Sequence, residues 1–438
     1  MNPVVHIESL DQEGHGVARL DGKVVFVDGG LTGERVEISI YRRHPKYDSA
    51  QTVRVLKASP YRATPPCPHF NRCGGCSLQH LEASAQVAVK QRALEENLAR
   101  IGKVRAEVLA PAIHGPTWGY RQRARLSVRR VDKKGGVLVG FHEKRSSFIT
   151  EMETCPVLHP RVSGLILPLR RLIARLSIVD RLPQIEVAVG DHVTALVLRV
   201  LDPPSTGDES LLREFAAAHD IQFWLQPKGP ETAYPFFPRQ APRLDFRLGQ
   251  FDVTLPFRPT EFTQVNPGIN EALVNRAMTW LAPRAGERIG DFFCGLGNFT
   301  LPIARSGAET LGVEGNDSLV ARARENARLN GLPRARFEVD DLFQMTPEKF
   351  AGLGNFDKLL IDPPRDGAMA LVKSLPPPAP DEARGPHRIV YVSCNPATLA
   401  RDAEVLCHVQ GFRLKAVGVA NMFPHTAHVE SVALLTRA

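Results

Sequence analysis

The stretch VYVSCNPATLARD (390–402) runs a β-branched strand straight into a thiol. Val390, Tyr391 and Val392 favour a strand, Asn395-Pro396 ends it, and Pro396 can open a helix through Thr398 and Leu399. Cys394 is therefore expected at the carboxyl end of a strand, beside a helix N-terminus. That rim is where open α/β sheets bind ligands, and a helix N-terminus lowers a thiol's pKa toward the nucleophilic thiolate. A lone cysteine is otherwise more often a small buried hydrophobe. Further on, Glu430 enters the terminal apolar strand of HTAHVESVALLTR (425–437), where a carboxylate is costly unless it has a partner or a task. Three more carboxylates end strands: Glu314 in LGVEG, Asp341 in ARFEVDD and Asp362 in IDPPR. Each alone reads as a cap or a turn. In this order on successive strand ends they suit a nucleoside cofactor, Glu314 meeting ribose hydroxyls and Asp341 an adenine edge.

The elements that must position these groups follow from the pattern of the last third. From about residue 260, helix and strand alternate: ALVNRAMTWLA, RIGDFF, GNFTLPIARSG, TLGVEG, SLVARARENARLNG, ARFEVDD, KLLID and RIVYVS. That alternation predicts a doubly wound, Rossmann-like sheet of the α/β class. In GDFFCGLGNFT (290–300), Gly295 and Gly297 let the backbone approach a ligand, with helix N–H groups beyond. Phe299 stands where a dinucleotide fingerprint has its third glycine. The D-x-F-x-G-x-G form resembles the first motif of S-adenosylmethionine-dependent methyltransferases. Asp362-Pro363-Pro364 is a rigid loop, poor in hydrogen-bond donors, that can face a flat base or cofactor. LPPPAPDEARGPH (375–387) is a Pro-rich loop.

Upstream the texture differs. The first 60 residues are short strands between glycine-rich turns, an OB-like β-barrel of a kind that often binds nucleic acid. CPHFNRCGGCSLQHL (67–81) is a compact cysteine loop, and LEASAQVAVKQRALEENLARIG (81–102) is a helix ended by Gly102. From about 115 to 255 strands dominate, interrupted by one helical stretch, RVSGLILPLRRLIARLS. The expected division is a barrel at 1–60, a mostly β central region at 61–259 and a catalytic domain at 260–438, on which helix 81–102 can pack.

The net charge of +8 is concentrated: residues 61–130 hold twelve Lys and Arg against four Glu, while residues 1–60 balance. Within WGYRQRARLSVRR (118–130), Arg121, Arg123 and Arg125 alternate beside Trp118 and Tyr120. Cations with aromatics suit a phosphate backbone with stacked or flipped bases, and equally a solvated strand face. MNPVVHIESLDQEG carries no basic-then-apolar leader, and no apolar run nears the roughly 20 residues that cross a bilayer. A cytoplasmic protein without disulfides is expected, its seven cysteines serving another purpose.

A thiol, a carboxylate and a methyl donor define a reaction. Uracil C5 is a poor nucleophile, but thiolate addition at C6 makes it enolate-like, able to attack a sulfonium methyl group. A base then removes the C5 proton and the thiol is eliminated. Cys394 would be the nucleophile and Glu430 the base. The strings CPHFNRCGGCSLQH, FTQVNPGIN, DFFCGLGNFTLP, IDPPR, VSCNPATLARD and HVESVALL together resemble the RNA uracil-5-methyltransferases, specifically the type with an N-terminal TRAM barrel that acts on 23S ribosomal RNA. The resemblance covers nearly the whole chain. It implies Cys394 as nucleophile, Glu430 as proton-abstracting carboxylate, and methyl-donor contacts from Gln264, Phe293, Asn298, Glu314, Asp341 and Asp362. Asp340 could align in place of Asp341. Cys294 is a rival thiol that the resemblance does not make the nucleophile, and Cys407 reads as a buried helix residue.

The same resemblance gathers Cys67, Cys73 and Cys76 with a distant Cys155. Four thiolates suit zinc or an iron–sulfur cluster equally by count, with His69 and His80 as spare ligands for zinc. The resemblance implies a [4Fe-4S] cluster, structural or acting in RNA folding. The expected protein is a monomer that binds 23S ribosomal RNA, uses S-adenosylmethionine and touches no membrane. The alternatives are the same chemistry on transfer RNA or another ribosomal uridine, and a non-catalytic RNA-binding protein. A DNA cytosine methyltransferase would place its thiol in a Pro-Cys context earlier in the sheet, which IDPPR lacks.

Overall fold

The computed structural model describes residues 2–377 and 385–437, so the middle of the Pro-rich stretch lies outside the described residues. Six short strands between Val4 and Lys57 form one curled sheet around Val5, Ile7, Val25, Val27, Val36 and Ile38. Behind it, Glu34 is fully buried and accepts from Arg62 as well as from the backbone of Leu31 and Ser59. That pair fastens the curled sheet to the segment that leads into the cysteine loop.

The central six-stranded sheet is mostly antiparallel, its strands lying between Arg123 and Phe237. One pair, Thr194–Arg199 and Gln222–Gln226, is parallel. The crossover it needs is the helix Thr206–His219, which the sequence reading had not marked among the strands. Its signal was present: Ser205 caps the helix and exchanges hydrogen bonds with Asp208, a capping box. The expected helical stretch is also there, broken into Pro160–Ser163 and Ile166–Ile173.

The largest sheet has seven strands from the last third, here β1 (Arg288–Phe292), β2 (Glu309–Glu314), β3 (Ala335–Val339), β4 (Lys358–Ile361), β5 (Arg388–Ser393), β6 (Arg413–Ala420) and β7 (Glu430–Thr436). Their spatial order is β3-β2-β1-β4-β5-β7-β6, and the short strand Val108–Leu109 adds to β6. β1 to β5 are parallel, while β7 lies antiparallel between β5 and β6. Parallel strands buried on both faces explain why β4 and β5 are nearly unbroken apolar runs. The hairpin Leu244–Leu248/Val253–Phe257 packs Phe246, Leu255 and Phe257 into this sheet's core.

Helix Ala83–Arg100 lies on helix Pro396–His408. At its end, a Cβ on Gly102 would come within 2.5 Å of the Ala400 carbonyl, so only glycine fits the approach. The buried face is partly polar: Gln86, Lys90, Leu94, Asn97 and Leu98. Lys90 is fully buried and donates to Asn421 Oδ1 (2.7 Å) and the Phe423 carbonyl (2.9 Å). Replacing Lys90 with Ala strands both acceptors in the interior. The expected cost is about 2–3 kcal/mol in chemical denaturation, and an unchanged midpoint would contradict this role.

Candidate active site

Asn395 accepts from the Ala397 backbone N–H (3.1 Å), and Pro396 occupies the first turn of the following helix. β5 therefore stops and a helix starts within two residues, with Cys394 in the gap. β5 pairs with β7 so that Ser393 faces Ser431, whose hydroxyl donates to the Ser393 carbonyl at 3.2 Å. One step further along both strands come Cys394 and Glu430, brought to the same rim. Both line a cavity of about 560 Å³, together with Gln264, Phe293, Asn298, Glu314, Asp341 and Asp362. All eight residues singled out in the sequence thus meet in one place.

One side of the cavity is built on the turn after β1. Phe293, Gly295 and Gly297 all have left-handed backbones (φ 65°, 54° and 98°). Glycine takes this cheaply; Phe293 is a strained exception whose ring meets Phe343 edge-on at 5.7 Å. Phe343 and Phe262 also line the cavity, although 48% and 69% exposed. Exposed aromatics here offer faces for a planar ring. Glu314 accepts from the backbone N–H groups of Gly295 (3.2 Å) and Asn316 (3.1 Å), tying the turn to the end of β2. Asp341 lines the cavity, whereas its neighbour Asp340 pairs with Lys349 at 2.9 Å. Asn298 and Asn270 exchange two amide hydrogen bonds of 2.9 and 3.0 Å. Gln264 precedes Asn266, the cap of helix Pro267–Leu281. The cavity's volume and its mixed aromatic and acidic lining fit a nucleoside-sized ligand.

Burial dominates the electrostatics. The Cys394 thiol is pushed up to about 11, by burial first and then by Glu430 and Asp362, with Arg365 pulling it down. The helix N-terminus does not lower this thiol as expected, because two nearby carboxylates and desolvation outweigh it. Burial, then Asp362, pushes Glu430 up to about 8, and burial pushes Asp362 to about 7. Asp291 is also raised, to about 8, by burial, and Thr300 donates to it. Cys294 is buried in the turn and raised well above its ordinary value by burial, Asp291 and Glu314, which makes it a poor nucleophile. Cys407 is only partly buried on its helix and is raised to about 11 by burial. Sequence reasoning passed over Arg365, His428, Phe262 and Phe343, which line the same cavity. Only the Arg in IDPPR carried a signal, as a cation placed beside an expected acid.

One expectation is corrected. Cys67, Cys73, Cys76 and Cys155 do line one small cavity, but its volume is about 20 Å³, room for about one water. Among the described residues, no group of three or more His, Cys, Asp or Glu side chains is arranged to hold a metal ion. Burial, with Gln79 opposing, raises Cys76 to about 12, and burial also raises Cys73 and Cys155. The central region is thus mostly β with a packed thiol pocket, and the iron–sulfur cluster does not stand. Arg123, Arg125 and their neighbouring aromatics have partners within the chain. Arg123 turns inward to donate to the Glu261 carbonyl (2.7 Å), and Arg125 pairs with Glu186 (2.8 Å). Trp118 stacks on His425 with ring centres 3.8 Å apart, and Tyr120 donates to the Pro424 carbonyl (3.0 Å). These aromatics brace the loop that leads into Glu430.

A carboxyl whose folded pKa is raised stabilises the fold below its unfolded value, and that contribution is lost as pH rises through the folded value. For Glu430 the window runs from its ordinary 4.5 to about 8. The melting temperature of Glu430→Gln relative to wild type should therefore climb between about pH 5 and 9. A difference that stays flat across that range would contradict the buried acid.

Residues 4–53 match the TRAM domain family, and residues 250–438 match the family described as tRNA (Uracil-5-)-methyltransferase. Similar along the full length of both chains is a protein of Thiobacillus denitrificans, 69% identical, named "23S rRNA (uracil(1939)-C(5))-methyltransferase RlmD". A protein of the same name from Nitrosospira multiformis is 58% identical over 100% of this chain and 99% of its own. Among solved structures, the Pyrococcus abyssi tRNA (uracil-54, C5)-methyltransferase in complex with S-adenosyl-L-homocysteine shares the fold, with a TM-score of 0.76, 24% identity and 99% of each chain covered. On the strength of those full-length relatives, the chain belongs to the RlmD family of 23S rRNA (uracil-C5)-methyltransferases.

Proposed function

We propose that this protein transfers a methyl group from S-adenosylmethionine to C5 of a uridine in 23S ribosomal RNA. The observation that carries this reading is the meeting of Cys394 and Glu430 in one cavity with the glycine turn, in a chain so close to relatives of that name. Gln264, Phe293, Asn298, Glu314, Asp341 and Asp362 would hold the cofactor, which when bound supplies an electrophilic methyl group on sulfur. Glu314 offers acceptors to ribose hydroxyls, and Phe293 with Phe343 offers faces to adenine.

On the other side, Cys394 gives up its proton and adds Sγ to C6 of a uracil extruded from its RNA context. The electron pair reaches C5, where the new carbon–carbon bond forms. Glu430, as carboxylate, takes the C5 proton, and the pair left behind expels the sulfur. Burial raises both Glu430 and Cys394 in the free protein. In this reading residues 1–60 form an RNA-binding barrel, 61–259 a central RNA-facing region and 260–438 the catalytic domain. No helix among the described residues is long and apolar enough to cross a membrane. We take the protein to act in the cytoplasm as a monomer, which size-exclusion chromatography with light scattering checks.

Incubation with radiolabelled methyl donor and either unmodified 23S ribosomal RNA or transfer RNA tests the assignment. Label should enter the 23S RNA. Cys394→Ala should lose on the order of 10³-fold or more in rate, and Glu430→Gln about 10²–10⁴-fold. Label in transfer RNA alone would move the substrate, and label in neither would leave an RNA-binding protein.

A further inference from the structure

Two cavities meet at Cys394. Beyond the one described above, a second of about 470 Å³ opens from Cys394 toward the cysteine loop and the barrel, past Ser77, Thr426 and Glu13. Cys394, Arg365 and His428 line both. Among the described residues lining the two, Arg365 is the one lysine or arginine. It stands against the carboxylates of Glu13, Glu314, Asp341, Asp362 and Glu430.

Its placement is fixed from both ends. The Arg365 carbonyl accepts from Asn395 Nδ2 (3.1 Å) and Thr398 Oγ1 (3.2 Å), both on the turn that follows Cys394. Its guanidinium donates to His428 Nδ1 (3.3 Å), two residues before Glu430. Pro363-Pro364 stiffens the approach from Asp362. The backbone of Arg365 is thus fastened to the nucleophile's turn and its head to the loop that enters β7.

We propose that Arg365 is a positioning residue that keeps Cys394 reactive by facing the thiolate with a fixed positive charge. The role rests on the reading of Cys394 as nucleophile. When the thiol gives its proton to water, the sulfur left charged shares both cavities with the guanidinium. Glu430 from β7, Asp362 from the loop after β4 and Glu13 from across the second cavity oppose it. Burial and the first two carboxylates already hold this thiol high, and Arg365 pulls the other way. His428 is lowered by burial first, then by Arg365, Lys90 and Arg121, and its Nδ1 accepts from the guanidinium.

The test is alkylation of Cys394 by iodoacetamide in the full-length protein, without RNA or methyl donor, followed peptide by peptide in mass spectrometry across pH. Arg365 is exposed and two of its three anchoring bonds use its backbone carbonyl, so Arg365→Gln should fold. At a fixed pH below the thiol's midpoint, Arg365→Gln should slow alkylation about 3–10-fold, a shift of about 0.5–1 pH unit, and Arg365→Lys should restore most of it. Equal rates in wild type and Arg365→Gln, or no rescue by lysine, would overturn the proposal. Because the readout needs no methyl transfer, it fails or succeeds separately from the function proposed above.

Discussion

The antiparallel pairing of β7 against β5 is the constraint on which the site depends. In a parallel sheet every strand presents its carboxyl end to the ligand rim, so a second functional group must come from a loop or from another strand's end. Reversing one strand changes that: β7 presents its amino end there, and Glu430 begins where Cys394 finishes. Side chains alternate along a strand, so a one-residue slip would turn Glu430 to the other face of the sheet. The strand that ends at Cys394 is also fastened from its other side. Tyr391 on β5 donates to Asp402 (2.6 Å), and the same Asp402 oxygen accepts from the Ala368 backbone (2.6 Å). One buried carboxylate thereby locks β5, the helix after Cys394 and the loop after Asp362 into a single arrangement.

That arrangement concentrates acids where water is scarce. Glu430, Asp362 and Asp291 are all pushed upward by burial, a standing cost to the fold that a purely structural sheet edge would not carry. The loop 421–428 before β7 is held by residues far away in sequence. Lys90, Gln86, Trp118 and Tyr120 all contact it. The segment between the curled N-terminal sheet and the large sheet therefore braces the loop that leads into Glu430.

The alternation of helix and strand after residue 260 was legible because buried parallel strands are apolar runs and their helices carry caps and periodic faces. Cys394, Glu430 and the strand-end carboxylates were legible as residue types that are costly where they stand. What escaped was tertiary. Nothing local tells a solvated arginine from one folded inward, so an RNA-facing and a solvated Arg123 were equally open, while it serves the Glu261 carbonyl. Trp118 and Tyr120 left base stacking and a solvated face equally open, because aromatics beside cations look alike whether they meet RNA or a loop. The helix Thr206–His219 was hidden among strands despite its capping box. The cysteine spacing implied ligands, and the side chains do converge, but on a space too small for a cluster.

The central claim is a transient covalent bond from Cys394 to C6 of the target uracil. Incubating the wild-type protein and S-adenosylmethionine with RNA carrying 5-fluorouridine blocks removal of the C5 substituent as a proton and should leave the adduct intact. Mass spectrometry of the digested complex should find the nucleotide on the peptide containing Cys394. A denaturation-resistant complex linked through any other residue, or no linked complex while unmodified RNA is methylated normally, would contradict the account.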